Sequence, residues 1–404
     1  MKHPSEISIL DFSYDLPQEK IAAFPSQERE GSKLLIYKNK RISESRFKNI
    51  HEVLEPNSTL IFNETKVIEA RLIFKNKSNQ SIEIFCLSPF SSNQSPNLAM
   101  QSTSKVLWRC LVGNLKKWKE EELQLSQGNI TLTTKIVAKN IEEVVIEFSW
   151  LPPELQLLEV IEKLGQIPIP PYLKRESTAL DQVRYQTVYS QTKGSVASPT
   201  AGLHFTNEIL NELKQLQHQF IHVTLHVGAG TFKPVKSDTM QGHVMHSEWL
   251  EISLQSIEKI KAELNGQLIC VGTTSLRVIE SLYWMGLKAF YQPTIKQREI
   301  EIGQWDAYNL QLDEISAEAS LDALMTWMKK NELQNLNCMT QILIAPPYQL
   351  KIAKGIITNF HQPQSTLLLL VAAVVGKDWK NIYDYALSHD FRFLSYGDSS
   401  ILLK

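Results

Sequence analysis

Cysteine is scarce in this sequence, and its spacing limits the chemistry that thiols can perform. The four cysteines, Cys86, Cys110, Cys270 and Cys338, are spread over 404 residues and form no C-x-x-C pair. Zinc ribbons and iron–sulfur clusters need closely spaced thiolates, so this spacing argues against both. We therefore expect isolated, reduced thiols.

Long apolar runs and an excess of one charge are also missing. The longest apolar run, residues 367–376, falls well short of the ~20 residues that span a bilayer. The first six residues do not resemble a secretory signal, which needs a basic stretch before an apolar one. The formal net charge is −1, whereas nucleic-acid-binding proteins usually carry a basic excess. These features predict a cytoplasmic protein without a membrane anchor, and the charge by itself does not indicate an RNA partner.

The pattern of strand-like and helical segments changes along the chain. Its length exceeds that of most single hydrophobic cores, which indicates two domains or one domain with an insertion. Strand-like segments at 81–87, 106–112, 129–137 and 143–150 are separated by polar stretches. Beyond Pro153, helical and strand patterns alternate to the C-terminus. We predict an α/β fold in which a larger α/β domain, residues 1–64 and 151–404, carries an inserted small all-β, barrel-like domain, residues 65–150.

The α/β part contains informative junctions between strands and helices. Residues 220–227 alternate with period two, which places isoleucine, valine and leucine on one face and His222, Thr224 and His226 on the other. A strand at 267–271 leads into a predicted helix at 276–285 that ends at Gly286, and a second apolar helix begins at residue 367. Hydroxyl-bearing residues at both helix starts are natural caps, and free N–H groups there suit an anionic ligand group.

Six of the ten histidines lie in turn-rich or strand-end segments, which favours a functional site. They are His204, His222, His226, His243, His246 and His361. His243, His246 and Glu248 lie within six residues and could supply a general base, an orienting partner or metal ligands. His222 and His226 are ~13 Å apart on a strand, too far to bind one ion together. A metal-dependent hydrolase built on the histidine cluster stays an alternative.

Several blocks in one order resemble a known family, the S-adenosylmethionine:tRNA ribosyltransferase-isomerases of queuosine biosynthesis. The blocks are residues 11–17, 63–72, 170–172, 181–189, 199–206, 226–235, 245–248, 272–277, 358–367 and 396–398. The resemblance covers the whole chain. Departures concentrate in the predicted β domain, where residues 73–76 lack an expected glycine and residues 112–117 lack an expected proline.

The resemblance implies a reaction in which S-adenosylmethionine donates its ribosyl group to 7-aminomethyl-7-deazaguanine at the wobble position of a tRNA with a GUN anticodon. Epoxyqueuosine forms, and adenine and methionine are released. The family acts without a metal or resident cofactor, since S-adenosylmethionine is consumed as a co-substrate. A monomer is expected.

The resemblance also implies site residues. The acid/base candidates are His204, His246 and Glu248. The expected S-adenosylmethionine ligands are His226, Gly228, Gly230, Thr231, Thr273, Thr274, Ser275, Arg277, His361 and Ser365. The expected ligands of the base or tRNA are Asp181, Arg184, Tyr185, Lys116 and Lys117. A noncatalytic RNA-binding module is a further alternative, although it explains poorly why so many polar motifs follow strands.

Overall fold

The computed structural model of the chain describes residues 3–91, 95–140, 143–228 and 235–403. Its strands are β1 (Lys33–Lys38), β2 (Arg41–Arg46), β3 (Thr59–Asn63), β4 (Thr65–Val67), β5 (Arg71–Lys75), β6 (Ser81–Pro89), β7 (Lys105–Gly113), β8 (Glu122–Gln127), β9 (Ile130–Lys139), β10 (Val144–Leu151), β11 (Thr192–Ser195), β12 (Gln219–His226), β13 (Glu248–Ser253), β14 (Leu268–Val271), β15 (Asn335–Thr340), β16 (Gly355–Asn359) and β17 (Ser399–Leu403).

The helices surround the larger of the two main sheets and the end of the smaller one. They are α1 (Pro96–Met100), α2 (Leu157–Leu164), α3 (Ala179–Arg184), α4 (Asn207–Gln215), α5 (Leu254–Ala262), α6 (Thr273–Tyr291), α7 (Asp306–Asn309), α8 (Ala317–Lys330), α9 (Thr366–Val375) and α10 (Trp379–Ser388). Within the described ranges, no helix is both long enough and apolar enough to cross a membrane.

The larger sheet has nine strands in the order β15-β13-β12-β3-β14-β16-β17-β1-β2. Its four central strands, β12, β3, β14 and β16, run parallel to one another. Strand β13 runs antiparallel to β12, and β17 runs antiparallel to β16. The carboxyl ends of the four parallel strands therefore meet the amino ends of β13 and β17 at one edge of the sheet.

Both faces of this sheet are covered, which explains why the middles of β3 and β14 are apolar on both faces. All five residues of β3 are buried. Leu60 and Phe62 pack with the residues of α4 on one face, and Ile61 packs with those of α5, α6 and α8 on the opposite face. Side chains of a strand alternate between faces, so a strand buried on both sides loses the polar half of the usual pattern.

The smaller sheet has six antiparallel strands in the order β5-β6-β7-β10-β9-β8. Its edge strands β5 and β8 lie close to each other, so the sheet is nearly closed. Trp108 and Phe148 are among the apolar side chains that fill its interior. The predicted fold class, a larger α/β part with a small barrel-like all-β part, is confirmed. Strand β4 pairs with β11 outside this sheet, and the boundaries at residues 65 and 150 stay predictions.

The prediction for the helix after β14 was wrong at both ends. Helix α6 already begins at Thr273 and continues to Tyr291, so Gly286 lies inside it. A Cβ atom at Gly286 would lie 2.2 Å from the carbonyl oxygen of Ser320 in α8. The glycine therefore serves the close approach of two helices and does not end one of them.

Candidate active site

Polar side chains from separate strands lie at the edge where the parallel strands end. His226 is the last residue of β12, Asn359 is the last residue of β16, and Thr273 follows β14 after one glycine. Glu248 is the first residue of the antiparallel neighbour β13. In open α/β sheets, ligands bind in the crevice beyond the carboxyl ends of the strands, so this edge is the natural place for a site.

Three adjoining cavities open at this edge, and we name each by its lining. The tyrosine cavity is lined by residues that include Tyr172, Tyr185, Thr200, Thr273, Asn359 and His361. The histidine cavity is lined by residues that include His243, His246, Glu248, Thr274, Arg277 and Leu367. The intersheet cavity lies between the two sheets and is lined by residues that include Arg109, Glu143, Gly194, His226, Gly228 and His246.

The three cavities form one cleft because they share walls. Thr273 and Thr274 line both the tyrosine cavity and the histidine cavity. His246 is common to the histidine cavity and the intersheet cavity, and Val227 is common to the intersheet cavity and the tyrosine cavity. A ligand with several parts can therefore extend from one cavity into the next.

A buried ion pair forms one wall of the histidine cavity. The Nη1 group of Arg277 donates to the Oε2 atom of Glu248, and the side chains of the two residues are 9% and 5% exposed. Nε of Arg277 donates to the carbonyl oxygen of Ile342 at 3.3 Å. Burial lowers the pKa of Arg277 to about 10, which still leaves it charged at neutral pH. Its Nη2 atom is buried and has no hydrogen-bond partner within the described residues, so it can donate to an anionic ligand group.

The start of α6 lacks the side-chain cap that the sequence predicted, and this leaves it open to the cleft. Its N-cap residue is Gly272, with φ of 90°, and no side chain caps the helix. Ser275, a predicted ligand, instead donates to the carbonyl oxygen of Val271 at 2.8 Å and does not line the cleft. Thr274 has a buried hydroxyl without a hydrogen-bond partner in the part of the chain that is described. An uncapped amide turn beside a free hydroxyl suits a carboxylate.

His226 lines the intersheet cavity. Its side chain is buried, and neither ring nitrogen has a partner among the described residues. Gly194 lies against the ring, since a Cβ atom at this glycine would be 3.1 Å from the ring atom Nδ1. Burial lowers the pKa of His226 to about 4, so the imidazole is neutral at physiological pH. It can donate one hydrogen bond and accept another.

His204, predicted as a catalytic residue, lies behind the cleft and does not line it. Nδ1 lies 2.8 Å from Oγ of Ser32, and Nε2 lies 3.2 Å from Nδ2 of Asn359. Oδ1 of Asn359 in turn accepts a hydrogen bond from Oγ1 of Thr200 at 2.9 Å. Since both ring nitrogens are engaged, His204 acts on the tyrosine cavity only through the carboxamide of Asn359.

Three other predicted residues line the tyrosine cavity. Nε2 of His361 lies 2.9 Å from the hydroxyl of Thr358, and burial lowers the pKa of this histidine to about 3. Ser365 accepts a hydrogen bond from the backbone N–H of Leu368, which confirms the predicted cap of α9. Tyr185 is fully buried beside them, and this burial raises the pKa of its phenol.

The predicted ligands of the base or tRNA are not gathered at one place. Asp181 is fully buried and accepts hydrogen bonds from Arg175, Thr178 and Tyr396, so its carboxylate is not available to a base. Burial alone raises the pKa of Asp181, but those hydrogen bonds outweigh it and hold the pKa well below its usual value. Lys116 and Lys117 are exposed on the turn after β7 and do not line the cleft.

Of the remaining predicted residues, two line the cleft and two lie outside the described ranges. His246 and Gly228 line the intersheet cavity. Gly230 and Thr231 lie outside the described residues. Within the described ranges, no group of three or more His, Cys, Asp or Glu side chains is placed to hold a metal ion.

Sequence reasoning did not single out several of the lining residues. Among them are Arg109, Glu143, Tyr172, Thr200 and Asn359. Asn359 could have been found, because it ends a buried strand two residues before His361. Arg109 and Glu143 carry no comparable signal, since their position in the cleft depends on how the two sheets pack together.

The buried histidines predict how stability depends on pH. His204 and His361 have folded-state pKa values of about 3, against 6.5 for an ordinary histidine. Between these values the unfolded chain binds more protons, so the free energy of unfolding falls as pH falls below about 6.5. The expected slope is about 1.4 kcal/mol per pH unit for each such histidine. Urea unfolding at pH 7, 6 and 5 should show a shallower slope for His204→Gln than for the unchanged protein, and equal slopes contradict this account.

Comparisons with known proteins agree on one family. The family described as queuosine biosynthesis protein matches residues 9–402. A protein of Sulfurihydrogenibium sp. named S-adenosylmethionine:tRNA ribosyltransferase-isomerase is 33% identical over 98% of this chain and 100% of its own length. A protein of the same name from Halothermothrix orenii is 34% identical, with coverage of 98% and 100%. The crystal structure of S-adenosylmethionine tRNA ribosyltransferase from Thermotoga maritima is 26% identical, with a TM-score of 0.46 and coverage of 97% and 100%.

Proposed function

Because the chain belongs to the queuosine biosynthesis protein family, we propose that it transfers and isomerises the ribosyl group of S-adenosylmethionine onto 7-aminomethyl-7-deazaguanine at the wobble position of tRNA. The product is epoxyqueuosine. The observation that carries the proposal is the convergence of His226, Glu248, Thr273 and Asn359, from four different strand ends, on one cleft. Such a cleft can hold a nucleoside sulfonium beside an extruded base.

The steps of the reaction determine which groups the cleft must supply. A base removes a proton from the ribose methylene that the sulfonium acidifies, and the bond between the ribose and adenine breaks. The aminomethyl nitrogen then bonds to the ribosyl carbon that adenine leaves, and the deprotonated methylene carbon forms a carbon–carbon bond to that same carbon as the bond from it to the ring oxygen breaks. The released ring oxygen closes the epoxide by displacing methionine from the methylene carbon, so that the carbon–sulfur bond breaks. One neutral amine and one sulfonium cation thus give epoxyqueuosine, adenine, methionine and one proton. General bases and polar groups for two leaving groups are required.

The methionine part fits the histidine cavity. Its carboxylate would accept from the free Nη2 group of Arg277 and from the uncapped amides at the start of α6. Glu248 would balance the charge of the sulfonium and of Arg277 together. Thr273 and Thr274, which line two cavities, would then contact the ribose.

The adenine part fits the intersheet cavity. Its walls include the apolar side chains of Leu87, Leu111 and Trp249, against which a purine can pack. His226 is neutral, and neither ring nitrogen has a side-chain or backbone acceptor or donor assigned among the described residues, so it would donate to a purine nitrogen as adenine leaves. His246 lies where the histidine and intersheet cavities meet, beside the bond that breaks, and is our candidate for the general base.

The deazaguanine would occupy the tyrosine cavity. Tyr172, Tyr185 and Phe360 offer aromatic surface for a base that has left its stack. Asn359, oriented by His204, presents a carboxamide that can both donate to and accept from the edge of the base. This placement brings the aminomethyl group towards Thr273 and the ribose.

The remaining parts of the proposal follow from the reaction. Proton transfers and ribosyl transfer need no redox group, and we propose no resident cofactor or metal. The three cavities are built from one chain, which supports a monomer as the acting unit. Its substrate would be a tRNA with a GUN anticodon in the cytoplasm.

One assay tests the proposal against both alternatives. The protein is incubated with S-adenosylmethionine and tRNA that carries the deazaguanine amine, with and without a strong chelator. We expect equal amounts of adenine and methionine, released only when that tRNA is present and unaffected by chelation. Loss of activity on chelation favours the metal-dependent hydrolase, and tRNA binding without adenine release favours the RNA-binding module.

A further inference from the structure

Two arginines without carboxylate partners line a small recess beside the tyrosine cavity. The arginine recess is lined by Pro25, Ser26, Arg29, Arg184, Leu203, His204, Ser395 and Tyr396. Within the described residues, neither Arg29 nor Arg184 forms a salt bridge. By contrast, their neighbour Arg175 is paired with Asp181.

The hydrogen bonds of the two arginines fix their positions but do not neutralise them. Arg29 donates from Nη1 to the carbonyl oxygens of Gln186 and Leu203, and from Nη2 to that of Val183. Arg184 donates only to two backbone carbonyls in the segment 26–27. A guanidinium has five N–H donors, so each arginine keeps some of them unused.

Two guanidinium groups lie close enough in the recess to repel each other. Burial lowers the pKa of Arg29, and the nearby charge of Arg184 lowers it further, while Glu30 and Tyr396 partly offset this. Glu30 lies beyond ion-pair distance, since no salt bridge joins it to Arg29 within the described chain. Nε of Arg184 is buried and has no hydrogen-bond partner among the residues that the structure describes. A bound anion would relieve the repulsion between the two guanidinium groups and satisfy their free donors.

The arginine recess and the tyrosine cavity are lined by the same chain segments and lie next to each other. Ser395 lines both of them, and the adjacent residues Arg184 and Tyr185 line the recess and the cavity respectively. A nucleotide whose base occupies the cavity keeps its flanking phosphates attached to its sugar, so one phosphate must lie near the mouth of that cavity. We propose that Arg29 and Arg184 bind the RNA phosphodiester next to the extruded nucleotide. This inference rests on the proposed function, since it takes the occupant of the tyrosine cavity to be a tRNA base.

The test measures tRNA binding by Arg184→Gln, with Arg41→Gln as the matched control because Arg41 is an exposed arginine on β2. We expect Arg184→Gln to weaken binding about tenfold and to reduce the slope of log affinity against log salt by about 0.7. The affinity for S-adenosylmethionine should be unchanged. The Arg41→Gln control should match the unchanged protein. Arg184→Lys, which keeps the positive charge but lacks the paired N–H donors of a guanidinium, is compared with Arg184→Gln. Thermal unfolding confirms that both variants are folded.

RNA with a single uncharged backbone linkage identifies the phosphate that the two arginines contact. Single methylphosphonates are placed on either side of the modified nucleotide, or in the acceptor stem. One flanking methylphosphonate should weaken binding by the unchanged protein, and Arg184→Gln, which keeps only the Arg29 contact, should lose less affinity on that RNA than the unchanged protein does. The phosphate site is overturned if Arg184→Gln loses as much affinity as the unchanged protein on every methylphosphonate RNA. It is also overturned if the salt slope of Arg184→Gln is unchanged. Failure of the proposed function is recognised separately, as absence of adenine release at saturating tRNA.

Discussion

Replacing Glu248 by Gln is expected to lower the turnover number for adenine release about 10²- to 10³-fold, with tRNA affinity unchanged. The carboxylate of Glu248 is the buried negative charge beside Arg277 in the histidine cavity. Without it, the methionine carboxylate would be left to offset the charges of both the sulfonium and Arg277, and the electrostatic cost would fall on the reacting complex. Single-turnover release of adenine, measured at saturating substrates, checks the change in rate.

Because Glu248→Gln leaves Arg277 unpaired, a loss of thermal stability must be distinguished from a loss of turnover. The double variant Glu248→Gln, Arg277→Gln removes both buried charges and should regain thermal stability but not turnover. Glu251→Gln is the matched control, since Glu251 is three residues further along β13 and on the opposite face of the strand. Normal turnover in Glu248→Gln would remove this residue from the mechanism.

Replacing His226 by Gln is expected to slow adenine release about 10²-fold with a much smaller change in the affinity for S-adenosylmethionine. The neutral imidazole faces the intersheet cavity with both nitrogens free of partners in the described structure, so its hydrogen bond would form with the departing purine. The loss of an interaction that strengthens as the bond to adenine breaks lowers kcat more than it raises KM. Rapid-quench measurement of adenine gives the rate directly.

The control for His226 lies on the same strand. His222 is four residues earlier on the same face of β12, and its Nδ1 atom lies 3.6 Å from Oε2 of Glu64, away from the cleft. His222→Gln should release adenine at the normal rate. An analogue with hypoxanthine in place of adenine, a better leaving group, should reduce the defect of His226→Gln. An unchanged defect with that analogue would show that His226 does not assist the leaving group.

The sequence predicts the architecture because local patterns reflect burial. The alternating segment at 220–227 became β12, and the β-branched stretch at 143–150 became β10 in the barrel-like sheet. Gly286 was misread because a glycine that ends a helix and a glycine that lets two helices approach look the same in one sequence. Only the position of Ser320 in α8 distinguishes them.

The position of a residue at the candidate site was predictable where a polar side chain ends or follows a strand, as at His226 and Thr273. His204 illustrates the limit. Its residue type and its neighbours are typical of catalysis, but Ser32 and Asn359, both more than 150 positions away, engage its two nitrogens. The wall formed by Arg109 and Glu143 depends on the packing of one sheet against the other, and local patterns carry no information about such packing.

The central claim is that this cleft directs S-adenosylmethionine to give up its ribosyl group rather than its methyl group. Two samples of S-adenosylmethionine, one labelled in the ribose and one in the methyl group, are incubated with the protein and tRNA that carries the deazaguanine amine. We predict that ribose label enters the tRNA in a 1:1 ratio to released adenine and that methyl label leaves as methionine. Methyl label in the tRNA, or adenine release with no ribose label in the tRNA, would contradict the account.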